Sequence, residues 1–197
     1  RTDVVGTGIL LEEARQAGVQ RFLQVSTDEV YGSVEQGSST EGDRLEPRSP
    51  YSASKAGGDL LVLSYWTTYR FPVVVTRGSN TYGPNQYPEK FIPLFATNAI
   101  DGEPLPLYGD GRQCRDWLSV YDHAAGIQHV FEQGEPGTVY NVGGGNEREN
   151  ITVAEQIVAQ STTRNATWGE ARDTEALLKL VQRRAPLYDK GDDAHFN

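Results

Sequence analysis

The sequence predicts an α/β fold built on a largely parallel sheet, and three observations carry that prediction. Short apolar stretches of strand length alternate with longer stretches of helical period. The run Val73-Val74-Val75 is continuously β-branched, the pattern of a strand covered on both faces. With 197 residues, 37% of them hydrophobic, the chain has enough apolar surface for one good-sized core.

The elements follow in order. Over 3–18, Val4, Val5, Leu11, Ala14 and Ala17 recur at roughly helical spacing, and Gly18 supplies a stop signal. Residues 21–26 read as a short strand. Gly, Ser, Pro and charges without period make 32–49 a loop. Pro50 opens a helical stretch to Arg70, and Phe71-Pro72 closes it before the Val73 strand. The second half predicts a helix over 89–101, strands at 105–108 and 115–119, a helix over 121–133 and a strand at 138–142. Gly143-Gly144-Gly145 then leads to a helix over 152–160. From 161 the sequence is polar and irregular, and it predicts no element.

Composition excludes several function classes. Eighteen basic against 27 acidic residues give a net charge of −9, the wrong sign for a protein whose main partner is nucleic acid. Only Lys55, Lys90, Lys179 and Lys190 are lysines; such an acidic surface suits a high-salt cytoplasm and an ordinary acidic enzyme alike. No apolar run approaches bilayer length, and no charged-then-apolar start suggests a signal peptide, so no membrane partner is expected. Cys114 is the single cysteine, which excludes an internal disulfide. His123, His129 and His195 are too scattered to predict a metal site. Methionine is absent and Arg1 begins inside a helical pattern, so the chain reads as an internal fragment.

Two constellations carry chemistry. Tyr51 and Lys55 lie one turn apart on the helix that Pro50 opens. A lysine there can lower the phenol pKa and hydrogen-bond a ribose, so that the tyrosine takes a proton from a substrate hydroxyl while hydride leaves the same carbon. The second constellation is Ser26-Thr27-Asp28-Glu29 at the carboxyl end of the 21–26 strand, where open α/β sheets bind ligands. Adjacent carboxylates in a partly dry cleft push each other's pKa values apart, leaving one as acid and one as base. Taken alone, Thr-Asp-Glu reads equally as an N-cap or a solvated acidic turn, and a bare Tyr-x-x-x-Lys is common. Gly6-Thr7-Gly8 lacks a preceding strand and a third glycine, and reads as close helix packing rather than a phosphate loop.

The segments STDEVYG (26–32), PYSASK (50–55), VVTRGSNTYGPNQYPEKFIPL (74–94), LPLYGDGRQCRDWLSVYDHA (105–124) and YNVGGGNEREN (140–150) together resemble the dTDP-glucose 4,6-dehydratases. These are extended short-chain dehydrogenase/reductases that act on nucleotide sugars. The resemblance runs from residue 3 to about residue 160. It implies a partial Rossmann-like, doubly wound parallel sheet with a smaller C-terminal substrate-binding portion, NAD as cofactor, dTDP-glucose as small-molecule partner and a cytoplasmic location. It further implies a homodimer through helices that include the one starting at Pro50.

Residue roles follow from the same resemblance. Tyr51 is the expected base at the C4 hydroxyl, Lys55 the ribose contact and Thr27 the hydrogen-bond partner of the C4 oxygen. Glu29 would remove the C5 proton and Asp28 would protonate the departing C6 hydroxyl. Ser26, Tyr51 and Lys55 are the implied cofactor contacts. Asn80, Glu89, Lys90, Pro106, Tyr108, Arg115 and Asn150 are the implied substrate contacts, with Arg115 as a fork for the diphosphate. Individually, Arg115 reads as well as a surface ion pair, Tyr108 as a strand-edge filler and Asn150 as a helix cap.

Asp28 separates this chain from related decarboxylases and GDP-mannose dehydratases, which tend to read Thr-Ser-Glu there, while use of a UDP-sugar stays open. The implied organisation is 1–82 for the C-terminal part of a cofactor domain with the catalytic residues, 83–160 mainly for substrate binding with returning Rossmann elements, and 161–197 as a divergent or truncated tail. The family opens with a strand and a glycine-rich turn that holds the NAD pyrophosphate at a helix N-terminus. Their expected absence here predicts a chain inactive by itself, or one that at most binds a nucleotide sugar.

Overall fold

The computed structural model describes residues 1–34 and 37–166, so most of the tail expected at 161–197 lies outside the described residues. The chain divides into two units. The first comprises residues 1–81 and 118–144, and the second, within the described residues, comprises 82–117 and 145–166.

The first unit holds the parallel sheet. Strand β1 (Phe22–Thr27), β2 (Val73–Gly78) and β5 (Val139–Val142) pair in the order β1-β2-β5, all parallel. Every residue of β2 is buried, as its unbroken β-branched start requires of a central strand. Val73, Val74 and Val75 are fully buried, each stabilising the fold by roughly 1.5–3 kcal/mol. Successive side chains point to opposite faces. Val73 and Val75 pack with Leu11 of α1 (Thr7–Gln16) and Val62 of α2 (Pro50–Tyr69). On the other face, α4 (Val120–Gln133) approaches so closely that a Cβ on Gly78 would meet the His123 ring at 2.4 Å. The sheet is therefore covered on both faces, the doubly wound arrangement that the sequence predicts.

Helix α2 starts where local chemistry directs. Ser49 caps α2 in a reciprocal capping box with Ser52, and Pro50 occupies the first turn. The stretch predicted as one helix over 3–18 instead begins with a π-helical turn, Thr2–Gly6, before α1. Gly58 lets that turn dock on α2, because a Cβ there would lie 2.7 Å from the Asp3 carbonyl oxygen. Gly8 approaches Leu61 at 3.1 Å by the same measure, the close packing expected of Gly6-Thr7-Gly8.

In the second unit, α3 (Phe91–Asp101) and α5 (Asn150–Ala166) share a core of Phe95, Ala99, Leu105, Leu107, Ala154 and Val158. Strand β4 (Cys114–Ser119) pairs antiparallel with β6 (Glu147–Glu149) in a second sheet of order β3-β4-β6, β3 being Asn80–Tyr82; Asn80, Thr81, Leu118 and Ser119 of these strands fall in the first unit. The strand predicted at 105–108 does not form. Pro104 and Pro106 each remove a backbone donor, and the segment instead buries Leu105 and Leu107 in the core as an irregular connection.

Candidate active site

The site of the first unit is assembled at the carboxyl end of β1. Thr27 ends the strand and caps a 3-10 turn, Asp28–Tyr31, by accepting a hydrogen bond from the Glu29 N–H at 3.3 Å on its Oγ1. The same hydroxyl donates to Asp28 Oδ1 at 3.3 Å. Thr-Asp-Glu is thus an N-cap and also a presentation of two adjacent carboxylates. Gly32 ends the turn at φ 85°, where a Cβ would lie 2.2 Å from the Glu46 carbonyl oxygen, so no other residue fits.

Helix α2 supplies the second half. Tyr51, 45% exposed, lies in its first turn, and Lys55 follows one turn later. The Lys55 ammonium donates to the Val25 carbonyl at 2.8 Å, which ties α2 to β1. Partial burial first, then the charges of Glu29, Asp3 and Asp28, raise the Tyr51 phenol above its ordinary 10.0. This runs opposite to the lowering expected from Lys55, because burial and then three carboxylates all disfavour the phenolate. The fold therefore brings Thr27, Asp28, Glu29, Tyr51 and Lys55 into one electrostatic neighbourhood.

Ser26 is buried just below, and its hydroxyl makes no hydrogen bond of ordinary length. Asn80 begins β3, half-buried. The other expected residues belong to the second unit. Glu89 and Lys90 precede α3, with Lys90 at its N-cap position. Pro106 lies between two buried leucines, and Tyr108 is exposed. Arg115 sits on β4 in direct register with Arg148. Asn150 opens α5, its main-chain N–H donating to the Gln113 carbonyl at 3.0 Å while its buried Oδ1 has no protein donor. A cavity of about 650 Å³ in this unit is lined by Trp117, Ile92, Val153 and Ile157 among others, and by none of these expected contacts.

Sequence reasoning missed three neighbours of the site. Asp3 accepts a hydrogen bond from Ser54 Oγ at 2.7 Å and bears on Tyr51. Arg77 and Asp59 form an ion pair at 3.0 Å with side chains 3% and 0% exposed. The available signal was an arginine in a strand that opens with three valines, which demands a buried partner.

A parallel sheet wound on both faces, with a Tyr–Lys helix beside a strand-end carboxylate pair, places these side chains where open α/β sheets bind their ligands. The family model for GDP-mannose 4,6 dehydratase matches residues 1–192, and the chain belongs to that family. It is 57% identical over 150 residues to a dTDP-glucose 4,6-dehydratase of Streptomyces antibioticus, covering 76% of this chain and 45% of that protein. The solved dTDP-glucose 4,6-dehydratase of Bacillus anthracis, in complex with NAD, superposes with a TM-score of 0.78 at 54% identity, covering 80% of this chain and 51% of that one. DesIV of Streptomyces venezuelae, a dTDP-glucose 4,6-dehydratase with NAD and TYD bound, gives 0.80 at 49% identity over 87% of this chain and 52% of that one. The chain spans about half the length of the relatives it matches. No helix among the described residues is long and apolar enough to cross a membrane.

Proposed function

We infer that this chain carries the catalytic part of an NAD-dependent nucleotide-sugar 4,6-dehydratase that converts dTDP-glucose to dTDP-4-keto-6-deoxyglucose. The observation that carries the reading is the carboxylate pair Asp28-Glu29, held on a turn close enough to bear on Tyr51. An oxidation alone needs the Tyr–Lys pair; elimination of water needs an additional acid and base.

The residues fit the cofactor. Lys55 retains two ammonium hydrogens beyond the one on Val25, and the buried Ser26 hydroxyl makes no ordinary hydrogen bond. Together with Tyr51 they would hold the nicotinamide and its ribose. When bound, NAD supplies the acceptor for the C4 hydride and the donor that returns it to C6. Tyr51 accepts the C4 hydroxyl proton, and Thr27 holds that oxygen. Burial and the three carboxylates favour the protonated phenol, so the base role calls for a cation beside it, and the Lys55 ammonium one turn along α2 is that cation. Glu29 removes the C5 proton, acidified by the neighbouring ketone, Asp28 gives a proton to the C6 hydroxyl, which leaves as water, and Glu29 returns its proton to C5 as C6 is reduced.

On the substrate side, Asn80, Glu89, Lys90, Pro106, Tyr108, Arg115 and Asn150 are assigned to the sugar nucleotide. Arg115 grips the diphosphate, and the donorless Asn150 Oδ1 takes a substrate hydrogen bond. Residues 1–82 then act as cofactor and catalytic region and 83–160 mainly as substrate region with elements that return to the cofactor domain, with 161–197 a divergent tail. A cytoplasmic location suits a reaction on a nucleotide sugar with NAD.

The same reading includes a homodimer. Around α1 and α2 the chain presents Val5, Ile9, Leu10 and Leu60, the last three each about 60% exposed (59%, 62% and 61%). That much exposed aliphatic surface on packed helices suits a second copy.

The test is Glu29→Gln in the enzyme expressed from its whole coding sequence. With dTDP-glucose it should oxidise C4 and then stall, so near-ultraviolet absorbance reports enzyme-bound reduced nicotinamide building up in place of product. Product formation at the unmodified rate would overturn the assignment.

A further inference from the structure

We propose that Arg77 is a positioning residue for this reaction: from inside the sheet it locks the turn that carries Asp28 and Glu29 to the helix that carries Tyr51 and Lys55. The proposal rests on the dehydratase reading for its purpose, and on the geometry of the first unit for its substance.

Arg77 is the fifth residue of β2, and its guanidinium reaches two elements at once. Nε donates to Asp59 Oδ2 at 3.0 Å, and Nη1 donates to the Tyr31 hydroxyl at 2.8 Å. Asp59 sits on α2 one turn beyond Lys55 and two beyond Tyr51, so it marks where that helix stands. Tyr31 is the last residue of the 3-10 turn that begins with Asp28 and Glu29. The guanidinium also lies over the Tyr31 ring, 4.8 Å from its centroid, which fixes the ring as well as its hydroxyl. Val30 and Tyr31 pack in turn against Ala56 of α2.

The chain of donors runs on without a break. Tyr31 Oη donates to Asn141 Oδ1 at 2.7 Å, and Asn141 faces Arg77 in register on β5. Asn141 Nδ2 donates to the Ser39 carbonyl at 3.1 Å, and its main-chain N–H donates to Glu41 Oε1 at 2.9 Å. Burial raises the Asp59 carboxyl above its ordinary pKa, and Ser26 and Arg77 oppose that by favouring the charged form; the second Asp59 oxygen makes no ordinary hydrogen bond. The network therefore touches β1, the acid turn, α2, β2, β5 and the loop before α2.

Stability alone does not account for such an arrangement. A buried ion pair loses most of its Coulombic gain to desolvation, and apolar side chains of similar volume fill a core at least as well. A guanidinium adds direction: its planar fork holds two partners at fixed angles, which a lysine cannot do. Here the partners belong to the two elements whose separation sets how closely the carboxylates approach the Tyr51 phenol.

The test reads that separation. The groups facing Tyr51 are Glu29, Asp3 and Asp28, with Lys55 one turn along the helix. In the 197-residue chain labelled with carbon-13 tyrosine, the Tyr51 signal is assigned by its loss in Tyr51→Phe, and its titration is followed by NMR. Glu29→Gln serves as the reference that removes one carboxylate. Tyr31→Phe removes one oxygen, and Arg77→Lys keeps the charge opposite Asp59 but loses the fork. Both should lower the Tyr51 midpoint toward the ordinary tyrosine value while circular dichroism stays that of the folded chain. The proposal is overturned if Tyr31→Phe and Arg77→Lys melt earlier yet titrate at Tyr51 as the unmodified chain does. It is equally overturned if Glu29→Gln leaves that midpoint unmoved, since the turn then has no hold on the phenol. The dehydratase reading fails separately, by absence of product from dTDP-glucose in whole enzyme whose Tyr51 titration responds as expected.

Discussion

His123 shows at the residue scale how burial selects a protonation state. Its Nδ1 shares a hydrogen bond with Thr81 Oγ1 at 2.7 Å, and its Nε2 is buried without a partner above Gly78. Burial lowers its pKa below 6.5, so the fold holds the neutral ring. The sign follows by linkage: below pH 6.5 the unfolded chain binds the proton first, so stability is complete above that value and falls as the pH drops toward the folded pKa. His123→Gln should therefore flatten the fall in urea midpoint between about pH 7.5 and about pH 5.5. An unchanged slope would show that other groups carry it. The residues most legible in the sequence were those whose chemistry is local. Tyr51 and Lys55 face the same way because four residues make one turn, and Thr27 caps because its hydroxyl reaches the N–H two residues on. Asp3 and Arg77 were not legible as site neighbours, because tertiary packing alone brings them from separate elements to α2, where Asp59 continues the Tyr51–Lys55 face without a pattern that marks its partner.

Elements with strong period or strong caps were legible too. The strand at 73–75 and the helix opened by Pro50 stand where β-branching and the Ser49-Pro50 start place them. Strands β3 and β6 are three residues each and polar, so they offered no alternation to read. The segment 105–108 misled because alternating Leu and Pro resembles a strand pattern, while the prolines remove the donors that a ladder needs. Helices α1 and α2 carry the prediction of this scale. If Ile9, Leu10 and Leu60 lie in a homodimer interface, the chain sediments as a dimer and Ile9→Glu with Leu60→Glu converts it to a monomer of unchanged helicity. A monomeric parent chain, or a variant that still sediments as a dimer, would remove the interface from the account.

At the scale of the whole molecule, the parallel sheet was readable from the alternation of patterns and its doubly wound character from the family resemblance, which also implies a division near 82–83 with later elements returning to the first region; the bounds of the returning segment, 118–144, were not readable. The chain crosses between units at 81–82, 117–118 and 144–145, within or beside strands and a glycine loop that carry no linker composition. Family membership and the two-carboxylate site together give the central claim, that these residues support oxidation, elimination and reduction on one sugar. The measurement that tests it most directly uses dTDP-glucose deuterated at C4, turned over by the enzyme expressed from its whole coding sequence. The account predicts a 4-keto-6-deoxy product with the deuterium at C6, because the hydride removed from one carbon returns to the other. Deuterium found back at C4 of an epimerised sugar, or no conversion while a UDP-sugar is consumed, would contradict it.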